Sequence, residues 1–208
     1  MAIGTLGQLK NAITSWTDQG GALGEEMTDF VRMATDCFNY GTDTIPPLRV
    51  REMIAVTSLT PVDGVCTLPA DYLQYRRVVQ EASIRRELQY ITPSASDQHY
   101  PDRAGGPACD FTIVGNSLYM FPVGSQDIEL TYYQKIPQLT SETGTNWLLT
   151  AHPTLYLHAG ILQVGFYRRN DELISRSLAV MASYMAGLRS SDQRSEFARA
   201  GTRLRAAY

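Results

Sequence analysis

The chain has 208 residues, of which 44% are hydrophobic and 19% are charged, and its formal net charge is −3. This size and composition suit one folded domain, or one domain with an appendage, and argue against wholesale disorder. The negative charge argues against a general nucleic-acid binder held by backbone phosphates, and three cysteines without a CxxC pair indicate neither a disulfide scaffold nor a zinc ribbon.

Two helices are predicted at the N-terminus. In residues 4–17, apolar side chains recur at spacings of three and four, which places them on one helix face: Leu6, Leu9, Ile13 and Trp16. Gly20-Gly21 ends this pattern. A second helix is predicted over residues 24–40, with Glu25 and Glu26 in its first turn, where carboxylates favour the helix dipole.

Residues 48–135 are predicted to be a β region inserted between helical segments. Strand candidates lie at residues 50–59, 65–68, 75–79 and 88–91, with Asp63-Gly64 as a turn. Gly115-Asn116 joins two further strands, and residues 128–133 alternate apolar and polar side chains. We predict that the last three strands form a meander. Residues 93–109 are rich in Pro, Gly and polar residues, which predicts a long loop with one helical turn.

Helices return at residues 151–168 and 171–188. The first is apolar or small on nearly every face, which is typical of a helix buried between layers. The residues predicted to pack are Leu155, Leu162, Phe166, Leu178, Met181 and Met185. Together the elements predict an α+β fold, in which N- and C-terminal helices form a bundle packed with a mainly antiparallel β meander or sandwich. Residues 1–188 are predicted to be one domain, followed by an extended tail over residues 189–208.

Signals of catalysis are weak. His152 and His158 are six residues apart, which does not place both on one helix face as metal ligands, and Pro153 after His152 indicates a helix start at Thr150 or His152. His99 lies near acidic residues, and a metal-dependent or hydrolytic enzyme centred on it is the least favoured hypothesis. The sequence contains no GxSxG, HExxH or P-loop motif. We therefore expect no enzymatic activity, no cofactor and no metal.

Two features indicate binding surfaces. Tyrosine and basic side chains are interleaved in the β region, at Tyr72, Tyr75, Arg76, Arg77, Tyr132 and Tyr133. Such patterns bind single-stranded nucleic acid or form protein interfaces, and the negative net charge favours a subunit or tail interface. A nucleic-acid-associated module remains the alternative function.

The C-terminal tail carries a net charge of +3, so the rest of the chain carries −6. Basic tails without a core of their own often fold on a partner, although a solvated end is the other interpretation. The candidate docking residues are Arg189, Arg194, Arg199, Arg203, Arg205 and Tyr208.

Two segments carry a resemblance to a known family. Residues 128–172 read IELTYYQKIPQLTSETGTNWLLTAHPTLYLHAGILQVGFYRRNDE, and residues 67–78 read TLPADYLQYRRV. Their order, a β segment, a polar loop, a helix and a charged junction before a last helix, resembles the head-to-tail adaptor proteins of short-tailed bacteriophages. These are also called tail tubular protein A or portal-associated adaptors. The N-terminal helix pair fits the same family.

The resemblance implies a structural subunit of a head-tail connector. It implies a ring of twelve identical copies that binds the portal on one side and the tail nozzle on the other, with DNA passing through its centre without specific binding. The helices and the C-terminal end would reach the portal, and the β region would face the tail. The protein would reside in the virion after synthesis in the bacterial cytoplasm. No apolar run is long enough for a membrane helix, so no membrane partner is expected.

Overall fold

The computed structural model describes residues 3–17, 26–82, 84–102 and 105–197. The chain divides into a helical unit, formed by Met1–Arg51 and Ile136–Tyr208, and a β unit, formed by Glu52–Lys135. The described helices are α1 (Leu6–Trp16), α2 (Glu26–Tyr40), α3 (Pro93–His99), α4 (Trp147–Ala151), α5 (Pro153–Arg168) and α6 (Asp171–Phe197), with a short 3-10 turn at Arg51–Met53. The described strands are β1 (Ile54–Leu59), β2 (Val65–Thr67), β3 (Tyr72–Gln80), β4 (Arg86–Glu87), β5 (Gln89–Tyr90), β6 (Asp110–Val114), β7 (Ser117–Phe121) and β8 (Ile128–Gln134). The predicted α+β class is confirmed.

Helix α5 is the centre of the helical unit, where it packs against α1, α2, α4 and α6. Leu155 and Leu162 are buried in it, together with most of its other residues. Gly160 allows α1 to approach closely, because a Cβ atom at this position would collide with Ile13 Cδ1. The all-round apolar composition of α5 therefore reflects neighbours on several sides, as predicted.

Two residues predicted to lie on buried faces are exposed. Phe166 is 51% exposed and Trp16 is 60% exposed. Both lie at helix ends: Phe166 is in the last turn of α5, and Trp16 is the last residue of α1. Periodicity identifies the apolar face of a helix but does not show how far the neighbouring helices extend along it.

The junction between α5 and α6 lies where the charged stretch predicts it. Arg169 adopts a left-handed conformation with φ 55°, and the N–H of Asn170 donates to Gly165 O at 3.0 Å. Asn170 Oδ1 accepts the N–H of Leu173 at 3.1 Å and caps the start of α6. Met181 and Met185 of α6 are buried and Leu178 is half-buried.

The predicted end of this last helix at residue 188 is wrong, since α6 continues to Phe197. Residues 189–197 carry no apolar stripe, so sequence periodicity gives no signal for them. In the structure, Arg189 and Asp192 of this stretch make hydrogen bonds to the backbone of residues 46–51.

The β unit is a sandwich of two four-stranded sheets, with strand orders β1-β8-β3-β4 and β2-β7-β6-β5. All neighbouring strands are antiparallel except β5 and β6, which are parallel. A shared core fills the space between the sheets, with Val78 and Leu130 from one sheet and Phe111, Leu118 and Met120 from the other. The predicted hairpin at Gly115-Asn116 joins β6 to β7, and α3 provides the helical turn predicted within residues 93–109.

The predicted three-strand meander is wrong in its last member. Strand β8 does not pair with β7 but lies between β1 and β3 in the other sheet. The free edge of β7 is already occupied by β2, through the register Val65↔Tyr119. No open edge therefore remains beside β7, and the chain after β7 crosses to the other sheet, where it forms β8.

Candidate interaction surfaces

Helix α6 forms one wall of an apolar groove in the helical unit. Residues 44–46 form the other wall, and the groove has a volume of about 370 Å³. The α6 wall consists largely of small or flexible side chains: Leu178, Ala179, Ala182, Met185 and Ala186. Its alanines are exposed, so the groove is open to solvent along the helix.

Arg189 lines the same groove and fastens α6 to its opposite wall. Its Nη2 atom donates hydrogen bonds to the carbonyl oxygens of Pro46 and Pro47, at 3.3 and 3.1 Å. Arg189 was predicted to belong to a docking arm. The structure instead places it in a contact that holds the helical unit together, because a guanidinium group can bond two adjacent carbonyls at once.

The next turn of α6 makes a second polar contact. Asp192 Oδ1 accepts the backbone N–H of Arg51 at 3.3 Å. Arg194 follows and is exposed. The remaining predicted docking residues lie outside the described residues: Arg199, Arg203, Arg205 and Tyr208.

The β unit carries a cleft of about 470 Å³, here called the tyrosine cleft, which includes Tyr75, Arg77, Glu87, Tyr90 and Phe111. The rings of Tyr75 and Tyr90 stack with centroids 5.5 Å apart, and Phe111 meets both edge-on at 5.1 and 5.7 Å. Arg77 Nε lies 3.2 Å from Glu87 Oε2, in an exposed ion pair. Tyr90 and Phe111 were missed in the sequence because β5 and β6 belong to a different sheet from β3, and only the packing of the two sheets brings these rings to Tyr75.

Arg76 and Tyr133 form a separate contact in the same unit. The guanidinium carbon of Arg76 lies 5.9 Å from the centroid of the Tyr133 ring, at the outer limit of a cation–π contact. Arg76 and Arg77 thus both have intramolecular partners. This arrangement favours a protein interface over a nucleic-acid surface, which needs cations available for phosphates.

Tyr132 is largely buried, with only 5% of its surface exposed. Its hydroxyl donates to Asp71 Oδ1 at 3.0 Å, and burial together with this hydrogen bond raises the pKa of Tyr132 to about 12. Tyr72 packs against it with ring centroids 5.8 Å apart, and the Tyr72 hydroxyl accepts the N–H of Tyr75 at 2.8 Å. Alternation along β8 turns Tyr132 toward the sandwich core, and its role in an interface stays a prediction.

The two histidines of the α4–α5 segment have structural surroundings. His158 is buried in α5, edge-on to the Trp16 ring at 5.8 Å, and its Nδ1 has no hydrogen-bond partner among the described residues. Burial lowers the pKa of His158, and the charge of Arg176 lowers it further. His152 precedes Pro153 at the start of α5, as predicted, but its side chain makes no capping hydrogen bond.

A buried polar cluster fixes the preceding segment. Asn146 caps α4 by accepting the N–H of Leu149 at 2.9 Å, and its Nδ2 donates to Pro137 O at 2.9 Å and to Tyr156 Oη at 3.2 Å. Tyr156 Oη also lies 2.6 Å from Thr35 Oγ1 of α2. Burial raises the pKa of Tyr156. The segment that contains both histidines is therefore a packing element.

His99 is exposed at the end of α3, with the Tyr100 ring at 6.5 Å. In residues 3–17, 26–82, 84–102 and 105–197, no group of three or more His, Cys, Asp and Glu side chains is placed to hold a metal ion. No described helix combines the length and the apolar character that a bilayer span requires.

The sequence matches the SU10 adaptor protein family over residues 4–206, nearly its whole length. The chain belongs to the SU10 adaptor protein family. A search among curated proteins gave no significant match.

Membership of the SU10 adaptor protein family confirms the resemblance to phage head-to-tail adaptors at the level of the family. The family is structural rather than catalytic, and its members are virion proteins that associate with other phage head and tail proteins. The groove along α6 and the tyrosine cleft are therefore candidate surfaces of an adaptor.

Proposed function

We propose that this SU10 adaptor protein is a subunit of a ring that joins the portal of a phage head to the tail nozzle, with DNA passing through the centre. The family match over residues 4–206 carries this proposal. The resemblance in residues 128–172 supports a ring of twelve copies. Twelve copies of the 23.1 kDa chain have a mass of about 280 kDa, which mass measurement distinguishes from smaller assemblies.

The helical unit is proposed to bind the portal through α6 and the residues beyond it. The groove on α6 offers apolar surface, and Arg194, Arg199, Arg203 and Arg205 add positive charge at the same end of the chain. The tyrosine cleft is proposed to bind the tail nozzle or a neighbouring subunit. A net charge of −6 outside residues 189–208 supports a lumen that does not grip DNA, because like charges repel.

Portal-bearing heads prepared without this protein provide the test. Purified chain is added to these heads, and electron microscopy then shows whether density appears below the portal, while mass measurement gives the number of copies. A chain that binds neither heads nor tails under any condition would contradict the proposed function.

Mutations distinguish an arginine of α6 that is proposed to bind the portal from one that stabilises the helical unit. We expect Arg194→Ala to weaken attachment to heads while leaving the free energy of unfolding unchanged, since Arg194 is exposed, and we expect truncation after residue 197 to weaken attachment as well. Arg189→Ala should instead lower that free energy by about 1 kcal/mol, because it removes the hydrogen bonds to Pro46 and Pro47. Equal effects of the two alanine variants on unfolding would show that α6 is not fastened by Arg189.

A nucleic-acid-associated function is the second candidate, and the stacked rings of Tyr75 and Tyr90 are the observation in its favour. It predicts binding of single-stranded DNA that weakens steeply with salt and is lost in Tyr90→Ala. No binding at low salt would remove this candidate without affecting the adaptor proposal.

A further inference from the structure

Strand β1 is a sheet edge whose outer backbone groups lack a partner strand among the described residues. It pairs with β8 from Ile54↔Tyr133 to Leu59↔Ile128, and no other described strand joins it. No backbone–backbone hydrogen bond outside the sheet ladder involves residues 54–59 in the described part of the chain, and the Thr57 hydroxyl lies 3.5 Å from Ser58 O. Backbone groups of an antiparallel strand point alternately to either side, so about half of those in β1 face the open edge.

The other edges of the sandwich are protected. Strand β4 consists only of Arg86 and Glu87, and the chain passes directly from it into β5 of the other sheet, which closes that side. Strand β2 has three residues, and Val65 pairs with Val62 of its own turn through two hydrogen bonds of 2.9 Å. Shortness, charge and self-pairing are the devices by which proteins prevent unwanted strand addition.

Strand β1 has none of these devices. Its sequence, IAVTSL, contains no charge and no proline, and its six-residue register with β8 has no bulge. Val56, in the middle of the strand, is 60% exposed. A regular, uncharged edge of this length readily accepts a further strand.

We propose that β1 is the docking edge for an extended, uncharged segment of a different virion protein, which adds as a fifth strand to the sheet. The inference goes beyond the proposed function but rests on it, since the partner is a protein of the head or tail. A second copy of this chain fits poorly. The described residues offer no other open edge of similar length, and pairing of β1 with β1 of a copy is a two-fold contact that does not propagate around a ring.

Amide hydrogen exchange on the wild-type chain tests the docking edge without any mutation. Exchange of residues 54–59 is compared in the free chain, in the purified chain at concentrations where it self-associates, and in intact virions. We expect the outward amides of β1 to exchange at least about ten times more slowly in virions only, because strand addition gives each of them a hydrogen bond. Protection that is already present in the self-associated chain, or absent in virions, would overturn the inference.

Matched lysine variants test the same edge by a second route. Val56→Lys places a charge on the open edge at an exposed position, and we expect about tenfold lower incorporation into virions with an unchanged unfolding midpoint. Val56→Thr keeps strand propensity, and Thr67→Lys places the same charge on the protected edge β2, so both should incorporate as wild type. Normal incorporation of Val56→Lys would overturn the inference. If the wild-type chain is present in virions but the amides of β1 exchange as fast as in the free chain, only the docking edge is refuted. If the wild-type chain is absent from virions, the proposed function is refuted as well.

Discussion

Tyr156→Phe tests whether the buried polar cluster holds the helical unit together. Tyr156 is fully buried, and its ring packs edge-on against Phe38 at 5.3 Å. Thr35 Oγ1 donates its own proton to Val31 O at 2.9 Å, so it accepts from the tyrosine hydroxyl. The substitution keeps the aromatic packing and removes only the hydroxyl, which isolates the hydrogen bonds from the hydrophobic contribution.

The expected loss follows from two hydrogen bonds. Without the hydroxyl, Thr35 Oγ1 loses the donor at 2.6 Å, and one N–H of Asn146 loses its acceptor at 3.2 Å, while its other N–H keeps Pro137 O. At about 1 kcal/mol for each bond, the free energy of unfolding should fall by about 2 kcal/mol. With a urea dependence of about 2 kcal/mol per M, the unfolding midpoint should move by about 1 M.

Urea unfolding of the purified chain measures this loss. Tyr167→Phe is the matched control, because Tyr167 lies on the same helix and is 59% exposed, and its hydroxyl should contribute little. In a double-mutant cycle, Thr35→Val should cost about 1 kcal/mol less in the Tyr156→Phe background than in the wild type. If Tyr156→Phe destabilises the chain no more than Tyr167→Phe, the cluster does not stabilise the unit.

The remaining predictions concern the packing of α5 and α6. Burial lowers the pKa of His158 below its ordinary value of about 6.5, so the unfolded chain binds the proton more readily and stability falls as pH drops through that value. His158→Gln should abolish this loss between about pH 7.5 and 5 in urea unfolding, whereas His152→Gln should retain it; an unchanged loss in His158→Gln would contradict the assignment. Gly160→Ala should lower stability by about 1–3 kcal/mol because the added methyl collides with Ile13. Gly187→Ala in α6 meets no atom within 4 Å and should raise stability by up to about 1 kcal/mol, so equal effects of the two alanines on the melting temperature would refute the close approach.

Local patterns in the sequence predicted those features that depend on neighbours along the chain. Periodicity placed Leu155 and Leu162 in a core, and the turn residues Gly115-Asn116 placed the β6–β7 hairpin correctly. The charged stretch before Asp171 marked the start of α6. In each case the physical cause is contained in a few consecutive residues, through side-chain spacing, turn conformation or helix capping.

Features that depend on distant residues were not predictable in this way. The position of β8 depends on the pairing of other strands, because β2 already covers the edge of β7 while β1 and β3 lie on either side of β8. The sequence of β8 alone does not show which strands will be its neighbours. In the extended part of α6, Arg189 bonds to the carbonyl oxygens of Pro46 and Pro47, which are distant in the sequence. The tyrosine cleft has the same origin, since Tyr90 and Tyr75 lie on strands of different sheets and meet only through the packing of the sandwich.

The positions of the candidate binding surfaces depend on which side chains and backbone groups the cores of the two units leave exposed or unpaired. Helix α5 buries most of its residues inside the helical unit, and its exposed aromatic side chains, Phe166 and Tyr167, lie in its last turn. Helix α6 buries only Ser177, Met181 and Met185 among its described side chains and leaves the alanines of its groove exposed. In the β unit, the sandwich core takes one face of each sheet, and the backbone of β1 keeps hydrogen-bonding capacity that side-chain burial cannot satisfy. An adaptor must hold its own shape while it binds proteins on either side, and this division between elements that pack and elements that remain available meets both requirements.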